Sequence, residues 1–365
     1  GMATIYAEAT LAQKTRVVGE DGSVSGGPVY YIKKAFKGTF GKILAGFFAV
    51  SAILALGFMG SMVQSNSIGS AINGAANVPT WVMGLVLAVL CALIYIGGTK
   101  RLAAVTEKIV PIMAIVYILG GLVIIIVNIT AIPETFAMIF KYAFNPTAVV
   151  GGSLGYALKT AISQGAKRGL FSNEAGMGST PHAHAQANVK NPHEQGTAAM
   201  ISVFIDTFIV LTITAIIVIS TLYAGNGPLS SGIVDGITKN NMVEVATTSL
   251  FANPNVGSTI ASIFIAVCLS FFAFSTVISW NLFGKINYNY LFGKKTTIIY
   301  SIIAIAFTFL GSILSSDLVW ELTDFFNYLM VIPNVIALLA LSNLVAQEAK
   351  EHSRKKKGAL PLQKY

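Results

Sequence analysis

A segment at residues 165–181 holds residue types that could bind a small polar ligand inside a membrane. It reads Gly-Ala-Lys-Arg-Gly-Leu-Phe-Ser-Asn-Glu-Ala-Gly-Met-Gly-Ser-Thr-Pro and lies between two apolar stretches. In hydrocarbon every backbone N–H and C=O needs an internal partner, so helix-breaking sequence survives only where it lines a protein-walled or wet cavity. Broken helices of this kind mark binding sites in transporters. The segment therefore predicts a discontinuous helix around a ligand site.

Unwinding of this segment between Ser172 and Met177 would expose both kinds of backbone group to a ligand. Free carbonyls would face a cation, and the N-terminus of the following half-helix would offer N–H groups and a positive dipole end. A zwitterion needs both. Gly176 and Gly178 allow a positive φ and a close backbone approach. Close helix packing at small residues is the alternative explanation for these glycines.

Asn173 and Glu174 are the polar side chains of this segment best suited to a ligand. The amide of Asn173 donates and accepts at once, which favours direct ligand contact, and a helix cap is its alternative role. A carboxylate near the bilayer centre costs about 2.5–3.5 kcal/mol, so Glu174 should be paired, protonated or ligating. It either joins the ion or substrate network or forms a salt bridge with Lys167 or Arg168.

The composition predicts an integral membrane protein around this segment. Of 365 residues, 54% are hydrophobic and only 11% are charged, against about 25% charged in soluble domains. Apolar stretches long enough to cross a core of about 30 Å lie at residues 43–64, 80–97, 109–128, 199–222, 257–283, 297–314 and 318–345. With an interrupted span around 148–185, the sequence predicts eight crossings and an all-α integral membrane protein.

The basic residues predict how the chain is oriented in the membrane. If the basic tail at 347–365 is cytoplasmic, the loops that hold most of the other lysines and arginines fall on the same side, as the positive-inside rule requires. The sequence therefore predicts a transmembrane transporter domain over 1–346, a basic cytoplasmic tail over 347–365, and a multi-pass position in the cell membrane. The net charge of +9 is explained by orientation and by attraction to anionic membrane lipid, not by nucleic-acid binding.

Two connecting segments predict short helices outside the membrane. Segment 13–42, with basic residues and several glycines, predicts a cytoplasmic loop with an interfacial helix. Segment 223–256 predicts an external loop with a capping helix between Val243 and Phe251. The first twelve residues have the pattern of a helix already under way at Gly1, which predicts that the chain is truncated at its N-terminus.

The run Gly165 to Ser179 resembles the signature of the alanine or glycine:cation symporters, the bacterial sodium:alanine symporter family. Other stretches match this family in the same order: Gly1-Met2-Ala3, Tyr6-Ala7-Glu8, Gly26-Gly27-Pro28, Tyr30-Tyr31, Gln64-Ser65-Asn66, Trp280, Trp320, Asp324, Pro333 and Asn334. The resemblance covers essentially the whole chain. It implies a leucine-transporter-like helical bundle of two inverted repeats with a discontinuous helix, and it implies that the first helix is missing here.

The resemblance also implies a secondary active transporter that carries alanine, or glycine, together with sodium. A proton-coupled carrier of other small neutral amino acids is the alternative. No cofactor is implied, and no metal beyond the transported sodium, because His182, His184 and His193 lack the partners of a metal cluster. A passive channel or scaffold is disfavoured because polarity is concentrated at one broken helix. Motifs that would indicate an enzyme are absent from the sequence.

By resemblance, the family's third and eighth helices complete the site. Gln64, near the outer end of 43–64, matches the third helix, and Thr276 and Trp280, four residues apart on one helical face, match the eighth. The predicted substrate-binding residues are Gln64, Phe171, Ser172, Asn173, Gly176, Met177, Thr276 and Trp280. The predicted ion-coupling residues are Glu174, Ser275, Thr276 and Ser279. Hydrogen bonds within their own helix are the alternative role of these hydroxyls, and the indole would limit substrates to the size of alanine.

Overall fold

Helices account for most of the chain in the computed structural model, which describes residues 1–20, 22–96, 98–144, 154–225, 227–232, 234, 237, 241–248 and 254–356. In chain order the helices are α1 (Met2–Thr15), α2 (Pro28–Ala35), α3 (Gly38–Ala76), α4 (Thr80–Ile96), α5 (Gly98–Val127), α6 (Ile132–Phe144), α7 (Leu154–Asn173), α8 (Pro181–His184), α9 (Pro192–Tyr223), α10 (Met242–Thr248), α11 (Pro254–Phe292), α12 (Thr297–Gly311), α13 (Ser316–Ala340) and α14 (Ser342–Lys356). Strands β1 (Val17–Val18) and β2 (Val24–Ser25) form a small antiparallel hairpin. Apart from this hairpin, the described residues have the predicted helical architecture.

The long apolar helices confirm a multi-pass membrane protein. Five of the described helices are long and apolar enough to cross a membrane: Gly38–Ala76, Pro192–Tyr223, Thr259–Phe292, Lys294–Gly311 and Ser316–Ala340. A sixth crossing results if Pro111–Val127 and Ile129–Ala143, bent by 77° at their junction, form one span. The described residues therefore support five or six crossings, and the shorter apolar helix Thr80–Tyr95 occupies another predicted stretch, so that eight crossings stay a prediction. Residues 148–153, where the interrupted span was predicted to begin, lie outside the described residues.

Helix α3 is much longer than the apolar stretch predicted at 43–64. The sequence predicted an apolar stretch with Gln64 near its outer end, but the helix continues to Ala76. Asn66 is buried, and its Nδ2 donates to the carbonyl oxygens of Gly311 at 2.9 Å and Leu314 at 3.0 Å. Polar side chains that find partners on neighbouring segments do not end a helix, so Gln64 lies well inside α3 rather than near its end.

The connecting segments contain the predicted short helices. Helix α2 lies in segment 13–42, and α10 lies in segment 223–256. The first residues form helix α1, Met2–Thr15, which confirms the predicted helix at the beginning of the sequence. Helix α14 continues across the predicted boundary at 346 and reaches Lys356, whereas the rest of the tail, 357–365, lies outside the described residues.

The predicted break follows α7. The helix ends at Asn173, and the chain turns until the four-residue helix α8 begins at Pro181. Glu174, Gly176 and Gly178 have left-handed backbone, with φ values of 54°, 97° and 82°. This conformation is ordinary for glycine but costs free energy for glutamate. Surrounding contacts must therefore hold the break in shape.

Candidate substrate and ion site

The carboxylate of Glu8, on α1, holds the broken segment. Glu8 is fully buried. Its Oε2 accepts a hydrogen bond from the N–H of Gly176, and its Oε1 accepts one from the N–H of Gly178, both at 3.0 Å. The predicted backbone donors are thus bound by the protein itself. Helix α8 has only four residues, too few for the half-helix dipole that the sequence predicted.

Asn334, on α13, joins Glu8 to the backbone of the break. Its Nδ2 donates to Glu8 Oε1 at 2.6 Å and to the carbonyl oxygen of Gly176 at 2.9 Å. Its Oδ1 accepts a hydrogen bond from the Tyr31 hydroxyl. Glu8, Tyr31 and Asn334 are all buried. A buried polar network with its hydrogen bonds made rigidifies its surroundings, so these residues fix the shape of the break.

Glu174 is bound by two donors on different parts of the chain. The indole Nε1 of Trp280 donates to Oε1 at 2.8 Å, and the hydroxyl of Ser179 donates to Oε2. The indole thereby ties α11 to the break. These contacts stabilise the left-handed backbone of Glu174 and leave fewer lone pairs for a ligand.

The proposed salt bridge from Glu174 to Lys167 or Arg168 is wrong. Arg168 binds Asp324 on α13, with 2.9 Å between guanidinium nitrogen and carboxylate oxygen. The amine of Lys167 lies 5.9 Å from the ring centre of Tyr328. Both cations therefore face α13, because the helical turn before the break directs them away from Glu174.

Asp206 is a carboxylate within the long span of α9 and was not predicted as a site residue. It lies in a π-helical stretch, Ile205–Val210, and such stretches frequently occur at functional sites. Its Oδ2 accepts a hydrogen bond from the Ser172 hydroxyl at 2.8 Å. Among the described residues this is its one recorded hydrogen bond. An ionisable residue in a membrane span is a candidate functional residue.

Aromatic rings close one wall of the break. Phe171 packs edge-on against Trp280 with 5.6 Å between ring centres, and it lies 5.1 Å from the ring of Trp320. A Cβ at Gly60 would fall 2.1 Å from Trp280 Cε3, so glycine is required for α3 and α11 to approach. Gln64 lies four residues after Gly60 and therefore on the same face of α3, which places it one turn from the indole.

Three predicted polar residues bond to nearby backbone. Asn173 Oδ1 accepts a hydrogen bond from the N–H of Ala175 at 3.1 Å. The hydroxyls of Ser275 and Thr276 both donate to the carbonyl oxygen of Phe272, at 2.9 and 3.0 Å. The bonds of Ser275 and Thr276 are the alternative role named for the hydroxyls, whereas the bond of Asn173 is a local turn at the start of the break and does not cap α8. The hydroxyl oxygens keep lone pairs that can still accept or ligate.

The other predicted residues differ in burial. Met177 is buried, and its N–H donates to the carbonyl oxygen of Glu174 at 3.0 Å. Ser279 is partly exposed and lies one helical turn after Ser275 on the same face of α11. The structure therefore joins Trp280 to the break through Glu174, whereas the Ser275 hydroxyl lies 3.8 Å from the sulfur of Met113 on α5.

His182 supports the break instead of forming part of a metal cluster. Its Nδ1 donates to the carbonyl oxygen of Ser179 at 2.6 Å, and its Nε2 accepts from the Nδ2 of Asn287 at 2.8 Å. These partners assign the neutral imidazole. The ring stacks on Phe48 and Phe283, with ring centres 6.2 and 5.5 Å away. All of these bonds are structural, and they anchor the start of α8.

Sequence reasoning missed two carboxylates, Glu8 and Asp206. Glu8 was noted only as part of a family-like stretch, and Asp206 was not noted. A single carboxylate inside an apolar helix is itself a signal of function, and it would have found both. The role of Asn334 has no such local signal, because the partner that it binds is more than three hundred residues earlier in the chain.

The comparisons with known proteins agree with this architecture. The sequence matches the family described as the sodium:alanine symporter family over residues 1–364. The sodium/alanine symporter AgcS of Methanococcus maripaludis is 40% identical over 352 residues, which are 96% of this chain and 74% of that protein. The amino-acid carrier protein AlsT of Bacillus subtilis is 40% identical over 362 residues, 99% of this chain and 72% of that protein.

The name of a third relative specifies a different substrate. The probable sodium/glutamine symporter GlnT of Bacillus subtilis is 37% identical over 358 residues, which are 98% of this chain and 70% of that protein. The three relatives are named as carriers or symporters, which are transporters and not enzymes. With a family match that extends over nearly the whole chain, this protein belongs to the sodium:alanine symporter family.

Proposed function

We propose that this protein is a secondary active transporter that moves alanine across a membrane together with sodium. The observation that carries this proposal is the unwound segment between α7 and α8, which lies among apolar spans and is bordered by the carboxylates of Glu8, Glu174 and Asp206. The names of the relatives AgcS and AlsT support an amino-acid cargo. Glycine, one methyl group smaller than alanine, is proposed as a second cargo.

We infer that the amino acid binds beside the break, against the ring pair of Phe171 and Trp280. Thr276 lies one helical turn before Trp280, and Gln64 approaches from α3. Trp280 is 2% exposed and is tied to Glu174 by its N–H. A ring held in this way leaves little space for a large side chain, which favours an alanine-sized cargo.

We infer that sodium binds near Ser172 and Asp206. Carboxylate and hydroxyl oxygens suit a hard cation, and the 2.8 Å contact already joins one of each. The hydroxyls of Ser275, Thr276 and Ser279, with Glu174, are further proposed oxygen donors on the α11 side. Loss of sodium should therefore weaken amino-acid binding through the same broken segment.

The proposed architecture is the leucine-transporter type, with inverted repeats around the broken helix and the C-terminal tail in the cytoplasm. The break and the long helices around it support this proposal, since discontinuous helices occur in carriers built from inverted repeats. Anionic lipid is a proposed partner of the basic residues near the membrane surface.

Uptake by the full-length protein in proteoliposomes tests the proposed function. Labelled alanine should accumulate when a sodium gradient is imposed, with potassium gradients of the same size as the control. A proton gradient imposed without sodium tests the proton-coupled alternative. Accumulation on the proton gradient alone would contradict sodium coupling, and accumulation on neither gradient would contradict alanine symport.

A further inference from the structure

A small cavity lies between the end of α7 and the middle of α13, next to the proposed substrate site. Its lining residues are Lys167, Leu170, Phe171, Met177, Asp324, Asn327, Tyr328 and Val331. Its volume is about 10 Å³, close to the least that holds one water molecule. Phe171 and Met177 belong both to this lining and to the predicted substrate-binding set. The cavity therefore adjoins that site and adds room for about one non-hydrogen atom.

Asn327 is the polar group of the cavity that lacks partners. It is 3% exposed, and neither its Nδ2 nor its Oδ1 has a hydrogen-bond partner among the described residues. The hydroxyl of Tyr328 is likewise buried without one. Leaving buried donors and acceptors unmet is costly, and native proteins rarely do so. The amide therefore indicates an occupant that can both donate and accept.

The charged residues of the lining are already engaged. Arg168 binds Asp324 at 2.9 Å, and the amine of Lys167 lies over the ring of Tyr328 at 5.9 Å. A polyatomic ion is too large for a space that admits a single heavy atom, and the carboxylate of Asp324 is paired with Arg168 and so is not free to bind a cation. The cavity therefore fits a neutral polar atom better than an ion.

We propose that this cavity receives the side-chain hydroxyl of serine, and that Asn327 makes the protein a carrier of serine as well as of alanine. The inference rests on the proposed function, because it assumes that the amino acid binds beside Phe171. Serine is alanine with one hydroxyl added. That hydroxyl donates one hydrogen bond and accepts others, so it can donate to Asn327 Oδ1 and accept from Nδ2. A substrate such as leucine has no atom that meets this amide.

The test separates hydrogen bonding from size with an isosteric pair of inhibitors. L-serine and L-α-aminobutyrate differ by a methyl group in place of the hydroxyl. Each is added during sodium-driven uptake of labelled alanine by proteoliposomes that contain the full-length protein. Serine should inhibit about three- to tenfold better than α-aminobutyrate, the range that one net hydrogen bond contributes.

The variant Asn327→Leu should abolish this preference and bring the ratio of the two inhibition constants close to one. Leucine has a similar volume and removes a buried amide that lacks partners, so the fold should tolerate it. Tyr328→Phe, a smaller change in the same cavity, should reduce the preference. It replaces Asn327→Leu in the test if that variant protein is produced poorly. Asn128→Leu is the matched control, because Asn128 also has a buried amide nitrogen without a partner among the described residues and lies outside this cavity.

Direct uptake of labelled serine completes the test. Serine should be accumulated by the wild-type protein, and Asn327→Leu should slow its uptake more than it slows uptake of α-aminobutyrate. Equal inhibition by the two compounds in the wild-type protein would overturn the proposal. A preference for serine that survives in Asn327→Leu would also overturn it, because the partner of Asn327 would then be a bound water and not the substrate hydroxyl. If alanine itself is not carried with sodium, the proposed function fails instead.

Discussion

Two carboxylates, the buried Glu8 and the partly exposed Asp206, contact the broken segment or the helical turn before it, and they are bound in contrasting ways. Glu8 accepts hydrogen bonds from two backbone N–H groups of the break and from Asn334, at 3.0, 3.0 and 2.6 Å. Asp206 has one recorded hydrogen bond among the described residues, from Ser172 at 2.8 Å. A carboxylate whose oxygens already have donors fixes the backbone. A carboxylate with open lone pairs is available to a cation.

Two further carboxylates complete the comparison. Glu174 has two donors, the Trp280 indole and the Ser179 hydroxyl, and it lies within the break itself. Asp324 is paired with Arg168, whose side chain is 49% exposed. By the number and burial of their donors, the four carboxylates thus range from Glu8, which supports the break, to Asp324, which forms an ion pair with a half-exposed arginine. Substitutions that remove the support of the break or the proposed cation contact should have larger effects than substitutions at the surface pair.

The largest effect is expected for Glu8→Gln. Glutamine has nearly the same volume, but one of its oxygens is replaced by an NH₂ group that would face a donor of the break. A hydrogen bond to a charged group contributes about 1.5–3 kcal/mol, and more than one would weaken. The initial rate of sodium-driven alanine uptake should therefore fall about 100-fold.

Glu321→Gln is the matched control for Glu8→Gln. Glu321 lies on α13 with its side chain exposed, so its neutralisation removes a carboxylate without touching the break. Its uptake rate should stay near the wild-type rate. If Glu8→Gln keeps uptake within about threefold of wild type, the support role of Glu8 is wrong.

The next largest effect is expected for Asp206→Asn, which should change the sodium dependence of uptake rather than its alanine dependence. Loss of one charge beside a bound cation should raise the sodium concentration for half-maximal uptake by about ten- to thirtyfold, because a charge pair at 4 Å is worth about 1 kcal/mol in water and about 4 kcal/mol near a protein surface. Asp206→Glu keeps the carboxylate, so its half-maximal sodium concentration should lie between those of the wild type and of Asp206→Asn. An unchanged sodium dependence in Asp206→Asn would place the cation elsewhere.

The break was predictable from sequence because its signals are local. Glycines, Asn173 and Pro181 interrupt an apolar pattern, and the structure has left-handed backbone at Gly176 and Gly178. The outlines of the spans were predictable for the same reason, since hydrophobicity is read residue by residue. The end of α3 was not predictable, because the amide nitrogen of Asn66 donates to the distant carbonyl oxygens of Gly311 and Leu314.

The partners of the site residues were not predictable, because they depend on which helices pack together. Arg168 lies six residues before Glu174 and looked like its counter-charge, yet it binds Asp324. The N–H groups of Gly176 and Gly178 looked free for a ligand, yet Glu8 binds both. A single sequence records a residue's chemistry, but its partner is set by packing over long separations in the chain.

A smaller effect is expected for Trp280→Phe. The phenyl ring keeps the contact with Phe171 but removes the N–H that donates to Glu174 at 2.8 Å. Ser179 remains as a second donor, so the loss should be limited to about three- to tenfold in uptake rate. Trp280→Ala should also remove the ring, and leucine should then compete with alanine better than it does in the wild-type protein. If Trp280→Phe and the wild type are indistinguishable, the indole N–H is not needed to hold Glu174.

The smallest effect is expected for the pair Arg168 and Asp324. The side chain of Arg168 is about half exposed and that of Asp324 is 15% exposed, so solvent screens the attraction and the pair should contribute no more than about 1 kcal/mol. A double-mutant cycle with Arg168→Ala, Asp324→Ala and the double variant measures this coupling through thermal unfolding in detergent. The coupling should shrink further as salt is raised. A coupling above about 2 kcal/mol, unchanged by salt, would mean that solvent does not screen the pair, and Asp324 would then join Glu8 as a support of the site.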